Sequence, residues 1–230
     1  MKTILAVLSL CFFSAMAQAA DIKDPQGFIN QISSYLGRPS FDEDFKCGDK
    51  STVSGGARVA AVKVQSLEMT QEIVCDGSEK LLRTKILSSS GAALEHVPGY
   101  DQEMAGNIFE NIDDADLVLD RDAYESDPKE FMFKMLEYVG ENEIEIKSVK
   151  LDRVEGPNDQ KINALVVKAE ITINEYEVPG MFKKMSVKVY ISKDLPAVSR
   201  VFKTEISTGK VLIMNTAGAK LEVTSVRRGN

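Results

Sequence analysis

The chain has 230 residues, of which 43% are hydrophobic, 27% charged and 7% aromatic, and it contains no Trp. These proportions are typical of a globular protein and exclude a disordered or a fibrous one. The net charge of −7 at pH 7 argues against a nucleic-acid binder or an anionic-membrane binder, because both need basic surfaces.

Residues 1–19 have the three parts of a secretory signal peptide. Lys2 supplies the positive charge, an apolar stretch follows it, and Ala17-Gln18-Ala19 provides a cleavage site. The apolar stretch is shorter than the roughly 20 residues that cross a bilayer, and no later stretch is apolar enough to do so. A buried N-terminal helix is the alternative. We therefore expect an exported, periplasmic protein without a membrane span, cleaved after Ala19.

Two segments of the chain repeat each other. Residues 24–37 read DPQGFINQISSYLG and residues 127–140 read DPKEFMFKMLEYVG. In both, Asp suits the N-cap of a helix, Pro suits its first turn, and Gly suits the position after its end. Apolar residues recur on one face of each segment. We predict two amphipathic helices and an internal duplication, with residues 20–126 as the first half and residues 127–230 as the second.

Cys47 and Cys75 are the two cysteines that remain when Cys11 is removed with the signal peptide. Because the periplasm oxidises thiols, we predict a structural disulfide between them. Such a bridge stabilises the fold by about 3–4 kcal/mol on the chain-entropy account. A redox-active pair is the alternative, although the spacing is not the C-x-x-C of such pairs.

Alternating apolar and polar residues predict long strands after each helix. In the first half two such stretches flank a turn at Asp76-Gly77, and in the second half two flank a turn at Pro179-Gly180. A change of phase within the longer stretches indicates a β-bulge. The second half then adds strands over residues 198–206, 211–214 and 221–226.

Short connections without alternating helices favour an α+β fold, in which a curved antiparallel β-sheet packs on the amphipathic helices. Residues 97–123 interrupt the first half, and we expect them to form an additional covering segment. The strand over residues 210–214 is apolar on both faces, so we expect it to be buried or paired. If it is exposed, it becomes the predicted edge for dimerisation.

Few residues suit catalysis or metal binding. His96 is the single histidine; no nucleophile motif accompanies it, and we predict a surface or structural role for it. The acidic run 113–122 does not match an EF-hand loop, so we interpret it as a solvated face, with weak calcium binding left open. No pair of carboxylates is distinguished by its spacing. We therefore predict no catalytic residue, no metal site, no cofactor and no enzymatic activity.

Four soft or aromatic apolar residues lie near predicted turns and edges, namely Met104, Phe109, Met181 and Phe182. Methionine adapts its shape and suits apolar binding surfaces. These residues are our candidates for lining an apolar ligand-binding groove. The alternative is that they fill the core.

The segment 187–196, VKVYISKDLP, is followed by another strand pattern. It resembles uncharacterised bacterial periplasmic proteins with a strand, Ser-x-Asp-x-Pro, strand arrangement. A helix followed by long antiparallel strands is also similar to the half-barrel fold of bacterial lipoprotein carriers. That resemblance implies a half-barrel-like sheet with an apolar groove for acyl chains, closed by helices. The aromatic- and Arg-rich strands of that family are missing from this sequence, so we carry over no functional residue.

Together these observations predict an exported, non-enzymatic binding or carrier protein for an apolar small molecule or lipid. The alternative is a protein-interaction module, such as an envelope assembly factor or an inhibitor, whose partner is an envelope protein. A lipid found in protein purified from periplasm favours the first, and a crosslinked envelope partner favours the second. A carboxylate-based hydrolase is the least favoured function.

Overall fold

The computed structural model describes residues 25–59, 62–91, 114–126, 143–172, 184–208, 210–211, 214–215 and 217–229. The helices are α1 (Pro25–Leu36), α2 (Phe41–Asp44) and α3 (Arg121–Ser126), with short 3₁₀ helices at Pro157–Asp159 and Ala197–Ser199. The first strands are β1 (Lys50–Val59), β2 (Val62–Asp76), β3 (Glu79–Gly91), β4 (Ala115–Val118), β5 (Glu143–Glu155) and β6 (Lys161–Thr172). The remaining strands are β7 (Lys184–Ile191), β8 (Val201–Thr208), β9 (Lys210–Val211), β10 (Met214–Asn215) and β11 (Ala217–Arg227).

Parts of the chain that carry predictions lie outside these ranges. They include the predicted signal peptide, residues 1–19, and residues 97–113 of the predicted covering segment. Among the described helices, none combines the length and the hydrophobicity that crossing a membrane requires.

Nine strands form one antiparallel sheet in the order β4-β3-β2-β1-β11-β8-β7-β6-β5. The chain builds one side from β1 outward to β4, continues at the opposite edge with β5, and returns through β6, β7 and β8. β11 then pairs with both β1 and β8, so it joins two four-stranded meanders. The predicted antiparallel sheet is confirmed, and it is continuous between the two predicted halves.

Several register shifts interrupt the strand pairing. They occur between β1 and both of its neighbours, between β2 and β3, between β5 and β6, and between β7 and β8. Each shift is a bulge or an irregularity in the pairing, and a bulge bends its strand and increases the local twist. The sheet is therefore consistent with the predicted curvature.

α1 has the ends that its sequence predicts. It begins at Pro25, whose fixed φ suits the first turn, and it is followed by Gly37 with a φ of 81°. Ile32 is fully buried against β6 and β7. The helix predicted within residues 24–37 is confirmed from its proline onward, whereas its predicted counterpart in residues 127–140 lies outside the described part of the chain.

Cross-strand pairing places alternate residues of the strands on the face that α1 covers, which we call the inner face. One row of neighbours on it runs from β5 to β2 as Val149, Val167, Val189, Thr204, Leu221, Gly55 and Leu67. The opposite face, which we call the outer face, carries charged side chains such as Lys168, Lys188 and Glu205. This alternation follows from the two-residue period of a strand.

Cys47 and Cys75 form the predicted disulfide, with their Cα atoms 5.6 Å apart. The bridge ties the loop before β1 to the end of β2. Beside it the Gly48 amide donates to the Ile73 carbonyl at 2.7 Å, and the Ile73 amide donates to the Asp49 carbonyl at 2.8 Å. The loop is thus fixed to β2 by one covalent bond and two hydrogen bonds.

The sequence pattern does not predict β1, β4 or β5. β1 contains Gly55 and Gly56, which weaken a strand signal because glycine has no side chain to pack. β4 has only four residues, too few for a clear alternation. In β5 the register shifts between Ile146 and Ser148, so the apolar residues change phase in the middle of the strand.

Two predicted strands are partly wrong. The first residues of the strand predicted over 198–206 belong to the 3₁₀ helix Ala197–Ser199, because the chain turns after Pro196 and the Ser199 amide donates to its carbonyl at 2.9 Å. The single strand predicted over 211–214 is instead the hairpin of β9 and β10, which lies apart from the main sheet. That segment is therefore paired, as expected, but with itself.

The turn predicted at Asp76-Gly77 is confirmed. β2 ends at Asp76, β3 begins at Glu79, and Gly77 has a φ of 60°. Glycine suits this position because a positive φ carries no steric cost without a Cβ. The matching turn predicted at Pro179-Gly180 lies outside the described residues.

Candidate ligand-binding face

The residues predicted to line a groove, Met104, Phe109, Met181 and Phe182, lie outside the described part of the chain, as does His96. The described residues therefore define a candidate site of their own. It lies on the inner face of the sheet, where apolar and buried polar side chains occur side by side.

The inner face is apolar across most of its width. In the row defined above, Val167, Val189 and Leu67 are each at most 3% exposed. The next row along the strands carries small and aliphatic residues, namely Ala169, Val187, Ile206, Ala219 and Ala57. Neighbouring strands are about 4.8 Å apart, so six steps from β5 to β2 cover about 29 Å. No charged residue occurs in either of these runs.

Gly55 lies where the two meanders meet. A Cβ at this position would overlap the side chain of Leu221 on the neighbouring strand. Glycine therefore lets the Leu221 side chain lie against the backbone of β1 in the position that it has here. As a result, the apolar row remains continuous from one meander to the other.

A row of polar side chains crosses the same face on β1, β2 and β3. Ser51 pairs with Gln71, and Gln71 pairs with Thr84; each is 1% exposed. Within the described part of the chain, the hydroxyl oxygens of Ser51 and Thr84 have no hydrogen-bond partner. A buried polar group without a partner costs about 1–3 kcal/mol, and such groups are rare in native proteins. These two hydroxyls therefore have hydrogen-bonding capacity that the described residues do not use.

Apolar residues border the polar row on both sides. Val53, Met69 and Ile86 are neighbours in the row on one side. Ile73 and Leu82 are neighbours on the other side, in a cluster that also includes Phe45, Leu117, Leu119 and Val198. In such surroundings the local dielectric constant is low, so a hydrogen bond made there is strong and a missing one is costly.

Aromatic side chains of α2, the following residue and α3 pack together beside this cluster. The ring centroids of Phe41 and Phe45 are 5.4 Å apart, and those of Phe45 and Tyr124 are 4.9 Å apart. Such tilted and edge-on pairs are favourable arrangements of aromatic rings. We refer to residues 41–45, 121–126 and 197–200 together as the end cap.

Asp42 joins the end cap to β3. Its carboxylate accepts hydrogen bonds from Arg121 at 2.7 Å and from Lys80 at 2.8 Å. These bonds hold the pKa of Asp42 well below its usual range. Because the pair is exposed to solvent, we assign it a role in orienting the end cap rather than a large share of the stability.

Two of the acidic residues in the run 113–122, Asp114 and Asp116, bind groups of the chain itself. Asp114 accepts a hydrogen bond from the Ile86 amide at 2.8 Å. Asp116 accepts two from Arg83, at 2.9 and 3.0 Å, and this pairing lowers the pKa of Asp116. Among the described residues, no three His, Cys, Asp or Glu side chains are grouped to hold a metal. The two aspartates instead fasten β4 and its preceding residue to β3.

Sequence reasoning does not single out the polar row. The sequence does contain one indication of it, in β2. Gln71 is two residues from each of the buried Met69 and Ile73, so it lies on the same face of the strand as they do. A polar residue in phase with buried apolar ones is a mark of a functional or network position. Ser51 and Thr84 become part of the row only through strand pairing.

No protein-family model matches the chain, and no curated protein matches its sequence. Among solved structures, the chain is similar to a LolA superfamily protein from Nitrosomonas europaea, with 8% sequence identity over 89% of this chain and 93% of that chain. The TM-score of this match is 0.24. This is a weak structural likeness, and it does not place the chain in that superfamily.

Proposed function

We propose that the protein is an exported, non-enzymatic binding or carrier protein for an amphiphile, such as a fatty acid or another single-chain lipid. The apolar part of the ligand lies along the inner face, and its polar group bonds to the hydroxyl of Thr84 or of Ser51. The observation that carries this proposal is the pair of buried hydroxyls without partners on a face whose described residues are mostly apolar.

The chemistry of this face favours a ligand with two unlike ends. A hydroxyl can donate or accept, so either Thr84 or Ser51 suits a carboxylate, an ester or a hydroxyl group. An apolar chain that lies against the rows of the face gains about 25 cal/mol per Å² of its own surface that it removes from water. A wholly polar ligand would lose the second contribution, and a pure hydrocarbon would leave the hydroxyls unpaired.

Two further expectations belong to this proposal. We propose that residues 1–19 are removed on export, and that Met104, Phe109, Met181 and Phe182 line the same ligand. Native mass spectrometry of protein purified from periplasm, followed by lipid extraction, identifies the bound molecule. Protein that carries no extractable lipid and does not bind palmitate would rule the proposal out.

Thr84→Val provides the sharper test, because it replaces the unpartnered hydroxyl with a methyl group of similar shape. We expect the ligand-free protein to become more stable by about 1 kcal/mol, since a buried polar group without a partner is removed. Palmitate binding should weaken about fivefold, which corresponds to the loss of one hydrogen bond of about 1 kcal/mol. Urea unfolding and calorimetric titration measure the two effects.

Thr70→Val is the matched control. Thr70 lies on the same strand as Gln71 but on the outer face, where it pairs with Lys85, and its side chain is only half-buried. This variant should change neither stability nor palmitate binding. If Thr84→Val lowers stability, or if it leaves palmitate affinity unchanged, the hydroxyls do not bind the ligand.

The protein-interaction module remains the second candidate, and one observation favours it. Leu151 is 65% exposed on β5, which is an edge strand of the sheet in the described part of the chain. Exposed edges carrying apolar residues invite pairing with another chain. On this alternative, Leu151→Lys abolishes capture of an envelope protein by crosslinking and leaves palmitate binding intact.

A further inference from the structure

The outer face has a groove over β5, β6, β7 and β8. Its volume is about 360 Å³, within the range of small-molecule sites. The groove contains both charged and apolar side chains. They are Ser148, Lys150, Asp152, Val154, Glu155, Val166, Lys168, Lys188, Tyr190 and Lys203.

Strand pairing brings three of the lysines together. Lys168 on β6 lies directly opposite Lys188 on β7, and like charges in directly opposite positions destabilise a sheet. Lys150 on β5 pairs with Val166, two residues from Lys168, so it is a diagonal neighbour of Lys168. The folded chain thus holds three positive charges close together on a face where they repel one another.

The acidic neighbours neutralise only part of this group, because Glu205 forms ion pairs with both Lys203 and Lys188. Glu205 accepts a hydrogen bond from Tyr190 at 3.1 Å and pairs with Lys203 at 3.0 Å, whereas its distance to Lys188 is 4.0 Å. Burial acts to raise the pKa of Glu205, but the hydrogen bonds from Lys203 and Tyr190 and the charges of Lys203 and Lys188 together lower it. In the described part of the chain, no ion pair involves Lys150 or Lys168. Both side chains are exposed, so their ammonium groups can reach a ligand.

The floor of the groove is formed by a buried aliphatic side chain and a buried aromatic ring. Val166 and Tyr190 are 7% and 6% exposed, and the Lys188 and Lys203 ammonium groups lie 4.5 and 5.1 Å from the centre of the Tyr190 ring. Burial raises the pKa of Tyr190 to about 12, so its hydroxyl remains a donor to Glu205. Contact with a ring and an aliphatic side chain removes water from one side of any bound anion and strengthens its attraction to the lysines.

We propose that this groove binds a phosphate group, with its oxygens between Lys150, Lys168 and Lys188. A phosphate carries up to two negative charges and several acceptor oxygens, which suits three ammonium groups that donate from different directions. Asp152, two residues from Lys150 on β5, and Glu155 also line the groove, and their charges repel an anion from that part of it. The site is on the face opposite the proposed amphiphile site and does not depend on it.

Pyrophosphate tests the site directly on the full mature chain. We expect saturable binding by calorimetric titration that weakens as salt is added, because exposed charges are screened. Lys168→Gln and Lys150→Gln should each weaken binding about fivefold, equivalent to about 1 kcal/mol. Lys85→Gln removes the same charge from the outer face of β3, outside the groove, and should leave the affinity unchanged.

Thermal unfolding gives a second readout that a purely structural role would not produce. Without pyrophosphate, Lys168→Gln should raise the midpoint by about 1–3 °C, because it relieves the repulsion from Lys188. With saturating pyrophosphate the original protein should have the higher unfolding midpoint, since it gains binding energy and the variant gains little. The proposal would be overturned if pyrophosphate raised the unfolding midpoints of both proteins equally. It would also be overturned if Lys85→Gln weakened pyrophosphate binding as much as Lys168→Gln does.

Vesicles distinguish the source of the phosphate. The site is assigned to a lipid headgroup if the protein binds phosphatidylglycerol vesicles, if pyrophosphate competes with that binding, and if the Lys150→Gln/Lys168→Gln variant no longer binds them. Binding of pyrophosphate without binding of these vesicles assigns it to a free phosphate compound. If neither probe binds at low salt, the groove is not a phosphate site.

Discussion

Arg200 and Asp44 form an ion pair that is mostly removed from water. Their side chains are 19% and 11% exposed. The Tyr124 hydroxyl donates to Asp44 at 2.8 Å, and Arg200 donates to the Tyr124 oxygen at 3.2 Å. Burial raises the pKa of Tyr124, so the phenol remains protonated and remains a donor. One residue from each part of the end cap thus meets in a single network.

We expect Arg200→Met to destabilise the protein by about 2–4 kcal/mol, because it leaves the Asp44 carboxylate buried without its partner. Arg200→Met/Asp44→Asn should recover part of that loss, since no unpaired charge then remains. Urea unfolding measures both. Arg83→Met, which breaks the exposed pair with Asp116, is the control and should cost less than about 1 kcal/mol. Additive losses in the double variant would refute coupling within the network.

At the scale of elements, the loop before β1 is held at both sides. The disulfide fastens it to β2, and the buried Asp49 carboxylate accepts hydrogen bonds from the Lys46 amide at 3.2 Å and the Gly229 amide at 2.9 Å. A Cβ on Gly229 would overlap the Cys47 carbonyl oxygen. The loop, the end of β2 and the C-terminal residues therefore form one packed unit.

Cys47→Ala/Cys75→Ala should lower the free energy of unfolding by about 3–4 kcal/mol, because the cross-link no longer restricts the unfolded chain. Urea unfolding under oxidising conditions measures the difference. Dithiothreitol should lower the stability of the original protein by a similar amount and leave the double variant unchanged. If reduction has no effect on the original protein, the bridge does not contribute to stability.

For the whole molecule, β11 is the element that makes one sheet out of two meanders. It is the last strand of the chain, yet it lies at the centre of the sheet between β1 and β8. Its pairing with β1 extends from Lys50 to Val59. Neither meander can bury its central edge until the C-terminal strand is in place, so the two should fold and unfold together.

Native-state hydrogen exchange at increasing urea concentration tests this expectation. Amides of β2 and of β6, which lie in different meanders, should exchange with the same opening free energy and the same dependence on urea. The short edge strand β4 should exchange at lower free energy through local opening. Separate urea dependences for β2 and β6 would show instead that the halves unfold independently.

The sequence by itself determined those features that depend on residues close together in the chain. The ends of α1 at Pro25 and Gly37, the turn at Gly77 and the alternation in β6 follow from local geometry and can be predicted. The pairing of Cys47 with Cys75 also follows, because no other cysteine remains after the predicted cleavage. Strands without a local signal, such as β1 with its glycines, could not be predicted in this way.

Only the tertiary structure decided which distant residues meet. The pairing of β1 with β11, the row of Ser51, Gln71 and Thr84, and the facing pair Lys168 and Lys188 all depend on strand order and register. Register is selected by the burial of whole faces, because a shift by one residue exposes every buried side chain of a strand. That choice is a property of the complete sheet, so both candidate sites emerge only when all of its strands are in place.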